Sequence, residues 1–292
     1  MELCNKLKSF LEFDQGHMDP SLFPIHELDI TYYGNQKLDV YLPDTTPTKK
    51  PTIVVVHGGG WISGYKQSKF MHGMIKIVNY GMNVVSIDYS LSVDARYPQQ
   101  IVDIKQALLW VENNADKYHF DLENLHIWGE SAGAHLALLA GLIQDTQLLG
   151  TPIPQPKTKL KSIVAFYPAI DTTKMEKQLI DLGCTFTSDT SIYDEDGLIS
   201  LLIGKENFFK EEVLSTLNPT TFIQEDMPRI LLQHGTGDRL VPHQQSIDFY
   251  NEVTSKYPNQ SITLELFDDA IHTDDIFFTD TNIQRIVSFI NE

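Results

Sequence analysis

The spacing of apolar residues changes period repeatedly along the chain. Residues 52–56, Thr-Ile-Val-Val-Val, form a continuous β-branched run, the pattern of a parallel strand covered on both faces. Residues 83–88, 162–166, 230–233 and 262–267 read as further strands, and Leu125, Ile127 and Trp128 as another that is buried. Helical spacing lies between them. Met71, Ile75 and Val78 mark one helix, and Pro98 opens a second in which Ile101, Ile104, Leu108 and Val111 recur every three or four residues, so that one face packs on the sheet. Ala132 to Leu142 is rich in good helix formers, and further helices follow Pro242 and cover 276–290. At the N-terminus, a helix-like segment precedes two short strands, 27–33 and 37–42, joined by a hairpin turn at Gly34-Asn35. The alternation predicts an α/β fold with a mostly parallel central sheet and helices on both faces.

One stretch departs from that rhythm. Residues 171–226 mix acids and threonines with weak periodicity around an apolar patch at 198–203. We read them as a small cap-like insertion that covers the carboxyl edge of the sheet and shapes substrate access, inside a single domain spanning 1–292.

Composition narrows the function classes. With 42% hydrophobic and 21% charged residues the chain can bury a large core. Acidic residues outnumber basic ones 39 to 22, and the net charge of −17 opposes phosphate backbones and anionic lipid, so neither nucleic acid nor membrane is expected as a partner. The first twenty residues alternate charged with apolar positions and lack the continuous apolar core of a signal peptide, and no run is long enough to span a membrane. Cys4 and Cys184 form neither a metal spacing nor a disulfide framework, which fits free thiols in a cytoplasmic protein. The oligomeric state stays open, a homo-oligomer included.

The candidate chemistry centres on residues 124–139, NLHIWGESAGAHLALL. Ser131 sits where the buried strand ends and the Ala/Leu-rich helix begins. A strand-to-helix turn that tight needs small neighbours, and Gly129 and Gly133 supply them, leaving an exposed hydroxyl at a helix N-terminus. A serine hydroxyl is a weak nucleophile, so a base, an acid to orient it and oxyanion donors are required, all beyond the carboxyl ends of strands. Asp238, in the glycine-rich turn after 230–233, is the leading acid, with Asp268 and Asp269 as alternatives. His272, after the last strand, is the leading base; His234 and His243 are lesser candidates, and His126 and His135 read as packing or surface residues. His57-Gly-Gly-Gly-Trp follows the strongest strand, and glycines there let backbone N–H groups approach a reacting carbonyl.

HGGGW, GESAG, GDRLVP and AIHTDD, in this order, make residues 25–292 resemble the α/β-hydrolase superfamily, most closely the hormone-sensitive-lipase-like carboxylesterases. DYSLSVDARYPQQ followed by GESAGAHLALL looks like the branch of small bacterial acetyl- and feruloyl-ester hydrolases; Tyr89-Ser-Leu-Ser-Val-Asp departs from the Tyr-Arg-Leu-Ala-Pro-Glu of the main lipase-like branch. The resemblance implies Ser131 as nucleophile, His272 as general base and acid, Asp238 as the residue holding the imidazole, and Gly59, Gly60 and Ala132 as oxyanion donors, with His57 structural. It implies no metal or organic cofactor. The expected activity is hydrolysis of short-chain acyl esters, acetylated or feruloylated sugars among them, on a small-molecule ester substrate. A small-amide hydrolase, arylformamidase- or peptidase-like, is the alternative, and a non-catalytic binding protein on the same fold is a more distant one. Trp61, Tyr97 and Tyr167 are expected to contact substrate.

Overall fold

The computed structural model describes residues 16–185 and 194–292. The helix-like segment expected at the N-terminus falls largely in residues 1–15 and, with Cys4, lies outside the described residues. The strands are β1 (His26–Tyr33), β2 (Gln36–Tyr41), β3 (Lys50–Val56), β4 (Asn83–Ile87), β5 (Phe120–Glu130), β6 (Gln147–Leu148), β7 (Thr151–Pro152), β8 (Ser162–Phe166), β9 (Arg229–Gly235) and β10 (Ile262–Phe267). Eight of them make one sheet in the order β1-β2-β4-β3-β5-β8-β9-β10, and β6 and β7 form a separate two-stranded hairpin. β1 and β2 are antiparallel to each other and β2 to β4; the remaining pairs are parallel.

Period-two alternation explains why the central strands are apolar throughout. In β3, Val54 and Val56 face one core while Ile53 and Val55 face the other; Ile163 and Ala165 of β8 oppose Val164 and Phe166 in the same way. The first core is closed by helices Gln99–Asn113, Ala132–Leu142 and Gln244–Lys256, and the second by Met71–Ile75 and Asp280–Asn291. Each fully buried Val or Ile contributes roughly 1.5–3 kcal/mol.

Several boundaries differ from the sequence expectation for local reasons. β5 starts at Phe120 because a bulge breaks its register with β3: Pro51 pairs with Asp121, and Thr52 with Leu125. The second half of the helix expected after Met71 tightens into a 3-10 turn, Lys76–Tyr80, ended by Gly81 in the left-handed region. The two-residue strands β6 and β7 are too short to leave an alternation in the sequence.

The described parts of 171–226 form short helices, Met175–Asp181, Leu198–Ile203 and Glu211–Leu217, with 3-10 turns at Lys205–Asn207 and Pro219–Phe222. Core side chains hold this stretch at its start and toward its far end, at 216–217. Gln245 is buried, and its Oε1 accepts from the N–H groups of Ile170 (2.8 Å) and Asp171 (2.6 Å) while its Nε2 donates to the Asp171 carbonyl. At the far end Tyr97 donates its hydroxyl to the Thr216 carbonyl (2.6 Å), and His135 donates Nε2–H to that of Leu217 (2.7 Å).

Candidate active site

The carboxyl ends of β3, β5, β8 and β9 converge on Ser131. It follows β5 directly and caps helix Ala132–Leu142 at φ 52°, ψ −121°, a conformation that costs of order 1–3 kcal/mol for a residue with a side chain. Neighbouring backbone fixes it: the Ser131 N–H donates to the Phe166 carbonyl (2.9 Å), and its own carbonyl accepts from His135 N (3.1 Å). The flanking glycines are there for space. A Cβ on Gly129 would lie 2.2 Å from the Gly133 carbonyl oxygen, and one on Gly133 would lie 2.3 Å from those of both Val56 and His57.

His272 Nε2 lies 3.0 Å from Ser131 Oγ, and its Nδ1 lies 2.6 Å from Asp238 Oδ2. With Nδ1–H donating to the carboxylate, Nε2 is the free acceptor for the serine proton. Asp238 has no exposed surface, and its other oxygen accepts from Leu240 N (2.8 Å) and Val241 N (2.9 Å), which locks the carboxylate in place. Burial alone would push this carboxyl up. The charge of His272 and contacts from His234 and His272 outweigh burial and hold it well below the usual carboxylate range.

His234 sits beside Asp238, its Nε2 3.5 Å from Oδ2, but among the described residues neither it nor the other acid and base candidates is hydrogen-bonded to Ser131. Asp268 and Asp269 are exposed, and the Asp269 N–H is tied to Thr236 Oγ1 in a turn. His234 is buried, with Nδ1 at Ser246 Oγ (2.7 Å) and Nε2 at the Val241 carbonyl (2.9 Å), so both nitrogens are engaged. His126 is buried against Ser162, and His57 is buried, its ring stacked on Tyr89 at 4.2 Å. Burial pushes His57 and His135 down to about 4 and His126 to about 3, so all three are neutral near pH 7.

Gly59 and Gly60 adopt φ 105° and 60°, conformations open to glycine, and the Gly59 carbonyl accepts from Ile62 and Ser63 to close the loop. Among the described residues, the N–H groups of Gly59, Gly60 and Ala132 have no protein acceptor. Unpaired donors beside a helix N-terminus suit an anionic oxygen. Next to them Glu130 is almost fully buried, and its Oε1 accepts from Gly58 N at 2.6 Å. Burial pushes its carboxyl up, opposed by the charge of His272 and the Gly58 bond. The Tyr167 hydroxyl faces the same carboxyl without a hydrogen bond of normal geometry.

The aromatic residues expected to contact substrate are instead packing residues. Trp61 is 2% exposed, its Nε1–H given to His135 Nδ1 (3.2 Å); Tyr97 is 5% exposed and bound to Thr216; Tyr167 is fully buried with its ring against His272 (centroids 4.6 Å). A buried indole N–H or phenol O–H needs a polar partner, which His135 supplies to Trp61 and the Thr216 carbonyl to Tyr97. The role of His135 escaped sequence reasoning, since its partners Trp61 and Leu217 are distant in the chain. Its one visible signal was its place four residues after Ser131, one helical turn along. Among the described residues, no group of three or more His, Cys, Asp or Glu is arranged to hold a metal ion.

A serine at a strained strand-to-helix turn, followed in chain order by its aspartate and histidine beyond a mostly parallel sheet, defines an α/β-hydrolase fold. The chain belongs to the BD-FAE family, which it matches over residues 38–253. It is 28% identical to the probable carboxylic ester hydrolase LipM of Mycobacterium tuberculosis, covering 80% of this chain and 53% of that protein, and 30% identical to the esterase LipQ of the same organism, covering 73% and 48%. The chain thus spans about half the length of these curated relatives. Among solved structures, a truncated carbohydrate esterase from gut microbiota superposes with a TM-score of 0.76 at 22% identity, covering 94% of this chain and 98% of that one. No helix among the described residues is long and apolar enough to cross a membrane.

Proposed function

We propose that this protein is a serine carboxylic ester hydrolase. The observation that carries the reading is the relay Ser131 Oγ, His272, Asp238, with spacings of 3.0 and 2.6 Å. In this reading His272 Nε2 takes the Ser131 proton as Oγ attacks the ester carbonyl. The carbonyl oxygen becomes an oxyanion facing the N–H groups of Gly59, Gly60 and Ala132. Collapse expels the alcohol, which receives the proton from His272; water then cleaves the acyl-enzyme by the same steps. Asp238 keeps Nδ1 protonated throughout and offsets the imidazolium charge.

We assign residues 171–226 to substrate access within a single domain. A cavity of about 550 Å³ there, lined by Thr172, Thr173, Glu176, Ile199, Phe208 and Leu214 among others, falls in the size range of small-molecule sites but shares no lining residue with the Ser131 relay or the oxyanion donors. Short acyl esters are the proposed substrates, and the likeness to a carbohydrate esterase makes acetylated and feruloylated sugars the first natural compounds to try. The cytoplasm is the proposed compartment, from two cysteines without disulfide spacing.

The test is hydrolysis of p-nitrophenyl acetate, butyrate and octanoate by the protein and by Ser131→Ala. Turnover that falls with acyl length and is lost in the variant is expected. Equal rates for the two proteins would refute the assignment.

A further inference from the structure

β3 and β5 are neighbours, with Val56 paired to Gly129, so the loops leaving their carboxyl ends run side by side. The loop after β3 begins with His57-Gly58 and carries the candidate donors of Gly59 and Gly60, while β5 ends at Glu130 and passes directly to Ser131. Across the gap the Glu130 carboxylate takes the Gly58 N–H at 2.6 Å. The contact is built for this carboxylate. A Cβ on Gly58 would lie 2.3 Å from Glu130 Oε1, 2.6 Å from its Cδ and 2.7 Å from Oε2, so the first glycine of the loop leaves room for the carboxyl group. On the other side of the loop Tyr89 donates its hydroxyl to the His57 carbonyl (3.0 Å) and stacks on the His57 ring. The peptide from His57 to Gly58 is therefore held from both sides.

We propose that Glu130 is a positioning residue that fixes the oxyanion loop to the nucleophile turn by accepting the Gly58 N–H, so that the N–H groups of Gly59 and Gly60 keep register with Ser131 Oγ. The inference rests on the ester-hydrolase reading of the site. Because Glu130 is bonded directly to Ser131, a displacement of the serine carries the carboxylate and its bound loop with it. Without that acceptor, Gly58 N–H is a buried donor with no partner, and the loop gains freedom to turn toward water. The acceptor oxygen is what matters: a glutamine of the same length can replace it, whereas alanine cannot.

The experiment compares wild type, Glu130→Gln and Glu130→Ala on p-nitrophenyl acetate and against a trifluoromethyl ketone that places an anionic oxygen in the same donors. Thermal melting confirms that each variant is folded. Hydrogen exchange is followed in a peptide covering 57–62. Glu130→Gln should stay within several-fold of wild type in kcat. Glu130→Ala should lose kcat by about 100-fold, the order of one oxyanion donor, with KM little changed. Ketone affinity should fall by the same factor as kcat/KM, and amide exchange at Gly58 should quicken in the alanine variant only. A folded alanine variant with wild-type kcat and protected Gly58 would overturn the proposal, as would a glutamine variant as impaired as alanine. Should wild type prove inactive on esters, the functional reading fails, and the exchange comparison still decides whether Glu130 holds the loop.

Discussion

Replacing Gly133 by alanine tests how tightly the nucleophile helix is pressed against the sheet. The added methyl would sit 2.3 Å from the carbonyl oxygens of Val56 and His57, while ordinary van der Waals contact begins near 3.4 Å, so the surfaces must part by about 1 Å. Neither side gives easily. Both clashing atoms are main chain, Val56 belongs to the central strand β3, and the helix beside it is buried on nearly every face. Overpacking of this kind costs typically 1–3 kcal/mol, and misplacement by about 1 Å near reacting groups costs about 100-fold in rate. Gly133→Ala should therefore remain folded with a lowered melting temperature and lose about two orders of magnitude in kcat/KM on p-nitrophenyl acetate. Slower labelling of Ser131 by a fluorophosphonate should accompany the loss. Wild-type kcat/KM in a folded Gly133→Ala protein would refute the reasoning, since the serine would then tolerate a shift of the helix that carries it.

Asp238→Asn should leave KM nearly unchanged and lower kcat by about 10⁴-fold, because an amide donor facing Nδ1 selects the wrong tautomer; steady-state kinetics decide it. His135→Leu strands the Trp61 indole N–H and the Leu217 carbonyl, each costing about 1–3 kcal/mol, and should lower the urea midpoint; a change of less than about 1 kcal/mol would contradict this. Burial depresses His57, His126 and His135 below the ordinary value near 6.5, so their contribution to stability is complete above that pH and is lost as pH falls toward about 4 and 3. Each group contributes at most about 1.4 kcal/mol per pH unit in that window, and urea unfolding between pH 7 and 4.5 should show a steep decline, where a flat profile would count against neutral burial.

Much of this architecture is legible in the residues because the governing interactions are local. Apolar runs marked β3 and β4 within a residue or two, and helix Ala132–Leu142 and strand β8 match the expected bounds. Ser131, Asp238 and His272 each lie past the end of a strand, which made them leading candidates, and the resemblance to the α/β-hydrolases chose them over Asp268, Asp269, His234 and His243. What the sequence leaves hidden is non-local. Trp61, Tyr97 and Tyr167 carry the residue types of a binding surface, and only the packing of His135, Thr216 and His272 against them shows that they are covered. The bulge at Asp121 likewise depends on pairing with Pro51, a partner seventy residues away.

The hydrogen bonds that hold residues 170–171 and 216–217 lend this scaffold a modular character. Gln245 addresses the main chain of Ile170 and Asp171, while Tyr97 and His135 take the main-chain carbonyls of Thr216 and Leu217. Main-chain atoms are the same whatever side chains lie between them. The exposed side chains between these anchors are therefore freer to vary than Met175, Leu179, Leu198, Leu202 and Val213, which the stretch buries in the first core.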